Sequence, residues 1–306
     1  MTTSIEHTTD QRERFYSTVP SMLADDDRLA LVLAEIGAGY LEPHITEEAR
    51  SRVFNVGIRE QLLVSFAGGL ALAGMRPIVH TFAPFLVERP FEQVKLDFGH
   101  QGVGGVLVSS GGSYSMASAG ETHFGPRDVA LLDTLDGWEV HVPGHADEAE
   151  EALREAARSD ARVYLRLDGK SNRERYSEGS GFTVLRTGTQ GTVIAVGPVT
   201  DEVLAATEGR DVTVMYASKI RPFDARTVRA TLSKPDVVIV EPYLAGTSVP
   251  QLSDALSGVR HRVLGLGVGR EELRRYGSRK DHERAHGLDV PGLRSSMSDF
   301  FDAAPD

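Results

Sequence analysis

VFNVGIREQLLVSFAGGLALAGMRPIVHT, residues 53–81, decides how the chain is read. It opens on a short strand-like piece (52–55) and turns through Asn55-Val56-Gly57. Residues 60–73 then carry apolar side chains at helical spacing, with small residues on one face where another element can approach closely. A buried strand follows over 76–81. Strand, helix and strand in this order build an open, mostly parallel α/β sheet.

The alternation continues outward. Residues 85–98 read as a helix despite Pro90, which starts or kinks it. A buried strand over 105–109 leads into a Gly/Ser/Ala loop, 111–125, with a histidine at its far end. A helix (128–135), a strand (139–142), an amphipathic helix (147–158) and a strand (162–167) complete the first series. Upstream, residues 1–25 are polar and read as an irregular arm leading into a helix. A second series has strands at 192–196, 212–216, 237–241 and 262–265, separated by helices at 200–207, 225–231 and 249–257. The expectation is two doubly wound α/β domains with mostly parallel sheets, 1–170 and 191–306, joined by a polar Gly/Ser-rich linker, 171–190.

Composition narrows the function. The chain has 306 residues, 33 basic and 44 acidic side chains, a formal charge of −11, and no cysteine. The length suits two domains. The absence of cysteine excludes disulfides, thiolate metal sites and a cysteine nucleophile. The acidic balance argues against nucleic acid as partner. The first 25 residues lack the basic-then-apolar order of a signal peptide, and no apolar run is long enough for a membrane span, so a cytoplasmic protein is expected. No protein-built metal site is expected.

Glu60, at a helix start, reads by itself as a carboxylate favoured by the helix dipole. Its surroundings add more. VFNVGIREQ resembles the transketolase pattern NVGI-x-EQ, and the next blocks continue the match. AGGLALAGMRP (67–77) resembles the family helix, HTFAPF (80–85) its T-F-x-x-F, and RPFEQ (89–93) its R-x-[YF]-[DE]-Q. THFGPRDVALL (122–132) resembles its T-H-x4-D with an apolar helix behind it. YASKIRPFD (216–224) and YGSRKDHERAHGLD (276–289) resemble the opening and closing segments of its C-terminal domain. Order and spacing agree along nearly the whole chain, which resembles the C-terminal portion of transketolase and 1-deoxyxylulose-5-phosphate synthase: a pyrimidine-binding domain followed by the C-terminal domain.

The resemblance implies thiamine diphosphate as cofactor. Glu60 matches the glutamate that bonds N1′ of the aminopyrimidine, a catalytic role that a largely apolar pocket favours. Phe82 and Phe85 match aromatics facing that ring, although both also suit plain core positions. Ile36 matches the bulky residue supporting the bent cofactor, and Glu35 stands where the family has Asp. His123 matches the Thr-His histidine, a candidate for acid/base work and substrate contact. His80 adjoins the same block and is a second substrate candidate. Arg166 matches a phosphate-binding arginine, with a surface or linker ion pair as the alternative.

The departures carry information too. There is no Gly-Asp-Gly, the motif that with a later Asn binds the diphosphate and its Mg²⁺ or Ca²⁺. The chain therefore holds half a cofactor site, and a second subunit carrying Gly-Asp-Gly…Asn is expected, in an α2β2 heterotetramer. Ala119, Gly111 and Gly39 stand where the family has polar substrate contacts, which implies altered specificity. The implied activity is two-carbon ketol transfer from a ketose phosphate, with a lipoyl or carrier-protein acceptor in natural-product biosynthesis as its specialised form. A 2-oxo acid decarboxylase β subunit and a catalytically degenerate regulatory subunit are the alternatives.

Overall fold

The computed structural model describes residues 10–179 and 181–303. Twelve strands occur among them: β1 Leu29–Leu33, β2 Val53–Asn55, β3 Arg76–Phe82, β4 Gly105–Ser110, β5 Trp138–His141, β6 Arg162–Arg166, β7 Thr183–Arg186, β8 Thr192–Val196, β9 Thr213–Ala217, β10 Lys219–Arg221, β11 Asp236–Leu244 and β12 Arg262–Val268. They form a seven-stranded sheet, β10-β5-β6-β4-β3-β1-β2, and a five-stranded sheet, β12-β11-β8-β9-β7. Every pairing is parallel except the edge pairs β10–β5 and β7–β9. These are two doubly wound α/β sheets.

The central strands of the first sheet are buried on both faces, hence their unbroken apolar runs, such as LALVL in β1. Period-two alternation sorts the side chains between the faces. Val32, Val79, Leu107 and Tyr164 join the core beneath the Glu60–Leu72 helix. Leu31, Leu33, Ile78, Val106 and Val163 face the Gln11–Asp25 and Ala146–Arg158 helices. The small-residue face of the Glu60–Leu72 helix meets the segment Val94–His100 closely: a Cβ on Gly68 would stand 2.8 Å from the Asp97 carbonyl oxygen.

Four local readings change. Residues 11–25, read as part of an irregular arm, form a helix capped by Asp10, with Phe15, Val19 and Leu23 buried; residues 1–9 lie outside the described residues. The polar letters mask its apolar anchors, which include Tyr16 and Met22 as well. The helix expected over 85–98 is a broken one, with π-type turns at Pro84–Glu88 and Val94–His100 on either side of Pro90. The stretch read as a linker contains β7. Finally, β10 belongs by sequence to the second series but adds an antiparallel edge to the first sheet, Lys219 opposite His141.

Candidate active site

Glu60 is the first residue of its helix, and Arg59 stands in the N-cap position without a side-chain cap. The turn before it is ordered by Asn55, whose Oδ1 accepts from the backbone N–H of Gly57 and of Glu35, both at 3.1 Å. Asn55 Nδ2 donates to Glu35 Oε2 at 3.2 Å. This clip holds the loop after β1, with exposed Glu35 and half-buried Ile36, beside the turn that leads to Glu60. The Glu60 residue is 3% exposed. A carboxylate so buried needs a partner, and Arg89 supplies it: Nη1 donates to Glu60 Oε1 at 2.7 Å.

Arg89 also lies over the Phe85 ring, its Cζ 3.8 Å from the centroid, a cation–π contact. Phe85 meets Phe82 edge-on, centroids 6.0 Å apart. His123 completes the group, edge-on to Phe85 at 5.0 Å and to Phe82 at 5.9 Å. Its Nδ1 is 2.9 Å from Thr122 Oγ1, so the Thr-His pair is also a geometric unit. Glu60, Arg89, Phe85, Phe82 and His123 thus form one contiguous cluster, buried at Glu60 and open to solvent at Arg89. Gly111 borders it: a Cβ there would come within 3.1 Å of Phe82 Cδ1, so a larger side chain must push that ring.

Two expected site residues lie elsewhere. His80 is fully buried, with its ring tilted 35° against that of Phe15 and centroids 4.6 Å apart. It shares the face of β3 with Ile78, toward the Gln11–Asp25 helix, because strand parity puts them on one side. Nδ1 lies 2.9 Å from the Val108 carbonyl, which only accepts, so Nδ1 carries the proton and Nε2 accepts from the Tyr16 hydroxyl at 3.2 Å. Burial pushes its pKa down to about 4. His80 is a neutral core histidine, buried against the Gln11–Asp25 helix. Arg166 is also fully buried. Nε donates to Asp128 Oδ2 at 2.7 Å, and Nη2 donates to Ser113 Oγ at 2.8 Å and to the Gly125 carbonyl at 3.0 Å. Tyr164 donates to the same Asp128 oxygen at 2.7 Å. Arg166 braces the loop 111–125 from beneath and presents no guanidinium to solvent.

Arg89 is the residue that sequence reasoning passed over. It stands in the RPFEQ block, but nothing in the letters shows that a cation about thirty positions downstream reaches Glu60. Among the described residues, no group of His, Asp or Glu is placed to hold a metal ion, and no helix is long and apolar enough to cross a membrane.

The candidate site is thus a buried carboxylate at a helix start beside an aromatic shelf, in the first of two doubly wound sheets. Comparison with known proteins gives the family. The profile of the transketolase pyrimidine-binding domain matches residues 8–173. The chain belongs to the transketolase family and corresponds to its C-terminal section. It is 49% identical over 302 residues to a protein of Rhodococcoides fascians described as an uncharacterized 33.6 kDa protein in the fasciation locus, covering 97% of this chain and 96% of that one. It is 29% identical over 297 residues to a subunit of the apulose-4-phosphate transketolase of Actinobacillus succinogenes, covering 92% of this chain and 94% of that one. A solved structure titled split gene transketolase, inactive beta4 tetramer, superposes with a TM-score of 0.81 at 22% identity, covering 97% of this chain and 99% of the other. Against a 1-deoxy-D-xylulose-5-phosphate synthase of Syntrophotalea carbinolica, the chain spans 47% of the relative's length.

Proposed function

We propose that this chain is the pyrimidine-side subunit of a two-part, thiamine-diphosphate-dependent transketolase-like enzyme. The observation that carries the proposal is the Glu60 carboxylate, buried at a helix N-terminus and joined through Arg89 to the Phe82–Phe85–His123 cluster. A polar, acidic group against aromatic faces fits an aminopyrimidine, which needs one hydrogen-bond partner at its edge and apolar contact on its faces. Glu60 holds a proton at N1′, Phe82 and Phe85 face the ring, and Ile36 and Glu35 border it from the loop after β1. Thiamine diphosphate, when bound, supplies the nucleophilic thiazolium carbon that the side chains of this subunit lack. His123 lies on the aromatic shelf, where it is placed to exchange protons with a substrate hydroxyl or carbonyl.

The diphosphate and its Mg²⁺ or Ca²⁺ are assigned to a partner subunit, because this chain has no Gly-Asp-Gly. The split-subunit relatives, matched over nearly their full lengths, support that division, and the assembly proposed is an α2β2 heterotetramer. The reaction is transfer of a two-carbon ketol unit from a ketose phosphate. Ala119, Gly111 and Gly39 offer no side-chain hydrogen bonds to a sugar, which supports an acceptor other than a pentose phosphate, such as a lipoyl group or carrier protein in specialised metabolism.

The test uses the complex with the partner subunit. Glu60→Gln can still hydrogen-bond but cannot share a proton. C2–H/D exchange of the bound cofactor is expected to slow by about 10²–10⁴ while assembly is retained. Exchange at the wild-type rate removes Glu60 from its role.

A further inference from the structure

The helix Arg279–Ala285 belongs to the C-terminal half of the chain, yet it packs on the loop that carries His123. His282 is fully buried and stacks on Tyr114, centroids 4.2 Å apart and planes 16° apart. It also meets Phe124, the neighbour of His123, edge-on at 5.1 Å. The Tyr114 hydroxyl bonds His286 Nε2 at 2.7 Å. His282 Nε2 donates to the Tyr276 carbonyl at 3.0 Å, which fixes the backbone of Tyr276 above the loop.

The Tyr276 ring then lies on Gly120. A Cβ on Gly120 would stand 2.6 Å from Tyr276 Cε1, and Gly120 has φ +80°. Gly120 opens the single 3₁₀ turn Glu121–His123, which has no side-chain cap, and its carbonyl accepts from the His123 N–H at 2.9 Å. Glycine adopts this left-handed conformation without steric cost, and the tyrosine ring covers it. Tyr276 itself is 68% exposed, so burial of the ring is not what places it there.

We propose that Tyr276 is a positioning residue: its ring pins Gly120 so that the turn presents the His123 imidazole to Phe82 and Phe85. This gives the C-terminal domain a part in the candidate site beyond assembly. The proposal rests on the reading of His123 given above.

The experiment compares Tyr276→Ala and Tyr276→Phe in the full chain. The imidazole resonance of His123, assigned by its loss in His123→Gln, is shifted by the ring currents of Phe82 and Phe85 and so reports its position. Tyr276→Ala is expected to move that resonance, and Tyr276→Phe, which keeps the ring on Gly120, to restore it, with the thermal midpoint unchanged in both. In the complex with the partner subunit, Tyr276→Ala is expected to lower kcat about tenfold, as small misplacements of reacting groups do. The donor KM should stay within about twofold, and the phenylalanine variant should recover kcat. An unmoved resonance in Tyr276→Ala, or no recovery in Tyr276→Phe, overturns the proposal. Should His123→Gln itself turn over like wild type, the reading of the site fails, whereas the resonance still decides what Tyr276 does.

Discussion

Arg166 and Arg89 show how burial divides residues that look alike in sequence. Both arginines carry an ion pair, but Arg166 and Asp128 are sealed from solvent while Arg89 keeps 43% of its side chain exposed. Removing one member of a sealed pair leaves the other uncompensated, a loss of about 3–5 kcal/mol. Arg166→Met is therefore expected to lower unfolding free energy by that order in urea titration. A phosphate-binding arginine would instead leave stability alone and raise the donor KM. Arg89 faces the opposite situation. Only the arginine end of its pair with Glu60 is solvated, since the Glu60 side chain is 4% exposed. A motif nominates His123 and Phe82 from the letters alone; the Arg89 contact is not legible there, because it depends on where a broken helix aims one side chain.

Among the elements, the Glu60–Leu72 helix was read from its period, and its two adjacent glycines separate propensity from packing. Both sit in a helix interior, where Ala is favoured over Gly by about 1 kcal/mol. At Gly69 a Cβ meets nothing within 4 Å, whereas at Gly68 it strikes the backbone of Asp97. Gly69→Ala is expected to stabilise the isolated chain by about 0.5–1 kcal/mol. Gly68→Ala is expected to destabilise it by about 1–3 kcal/mol, because a backbone carbonyl cannot step aside. Thermal melts of the two variants decide the matter; equal signs would mean the close approach is absent. The facing segment, 84–100, shows what periodicity misses. Pro90 has no N–H to donate to the preceding turn, and the turns on both sides widen to π spacing, a feature frequent near functional sites.

At the scale of the molecule, the two sheets are bound together by β10, by the Leu244 N–H donating to the Pro126 carbonyl at 2.8 Å, and by Arg279 paired with Asp168. Two buried groups give this body opposing responses to pH. His80 is pushed down by burial to about 4, against about 6.5 unfolded. The unfolded chain binds the extra proton between those values, so the stability tied to neutral His80 is lost as pH falls from about 6.5 toward 4. Glu241 is pushed up by burial to about 7, from an ordinary 4.5. Its contribution is present below about 4.5 and lost as pH rises through about 7. Each amounts to about 2 kcal/mol between pH 7.5 and 5, with opposite sign, so the two offset in the wild-type chain. Relative to wild type, His80→Phe is expected to gain about 2 kcal/mol on going from pH 7.5 to 5, and Glu241→Gln to lose about as much. Urea titrations at the two pH values test both; a variant that runs parallel to wild type shows that its group does not titrate in this window.

What the sequence determined by itself is the order of elements and the two-sheet class, since period is a property of the letters; motif spacing also nominated Glu60, Phe82, Phe85 and His123 together, and these lie in one cluster. What only the tertiary structure decided is which candidates face the cluster. Strand parity and the packing of the Gln11–Asp25 helix withdrew His80, and a buried carboxylate thirty-eight positions upstream took Arg166. Across the cluster a helix of the C-terminal half placed Tyr276 on Gly120. Each of these contacts joins residues far apart along the chain, and the energy that selects them arises only when burial removes the alternatives that water would offer.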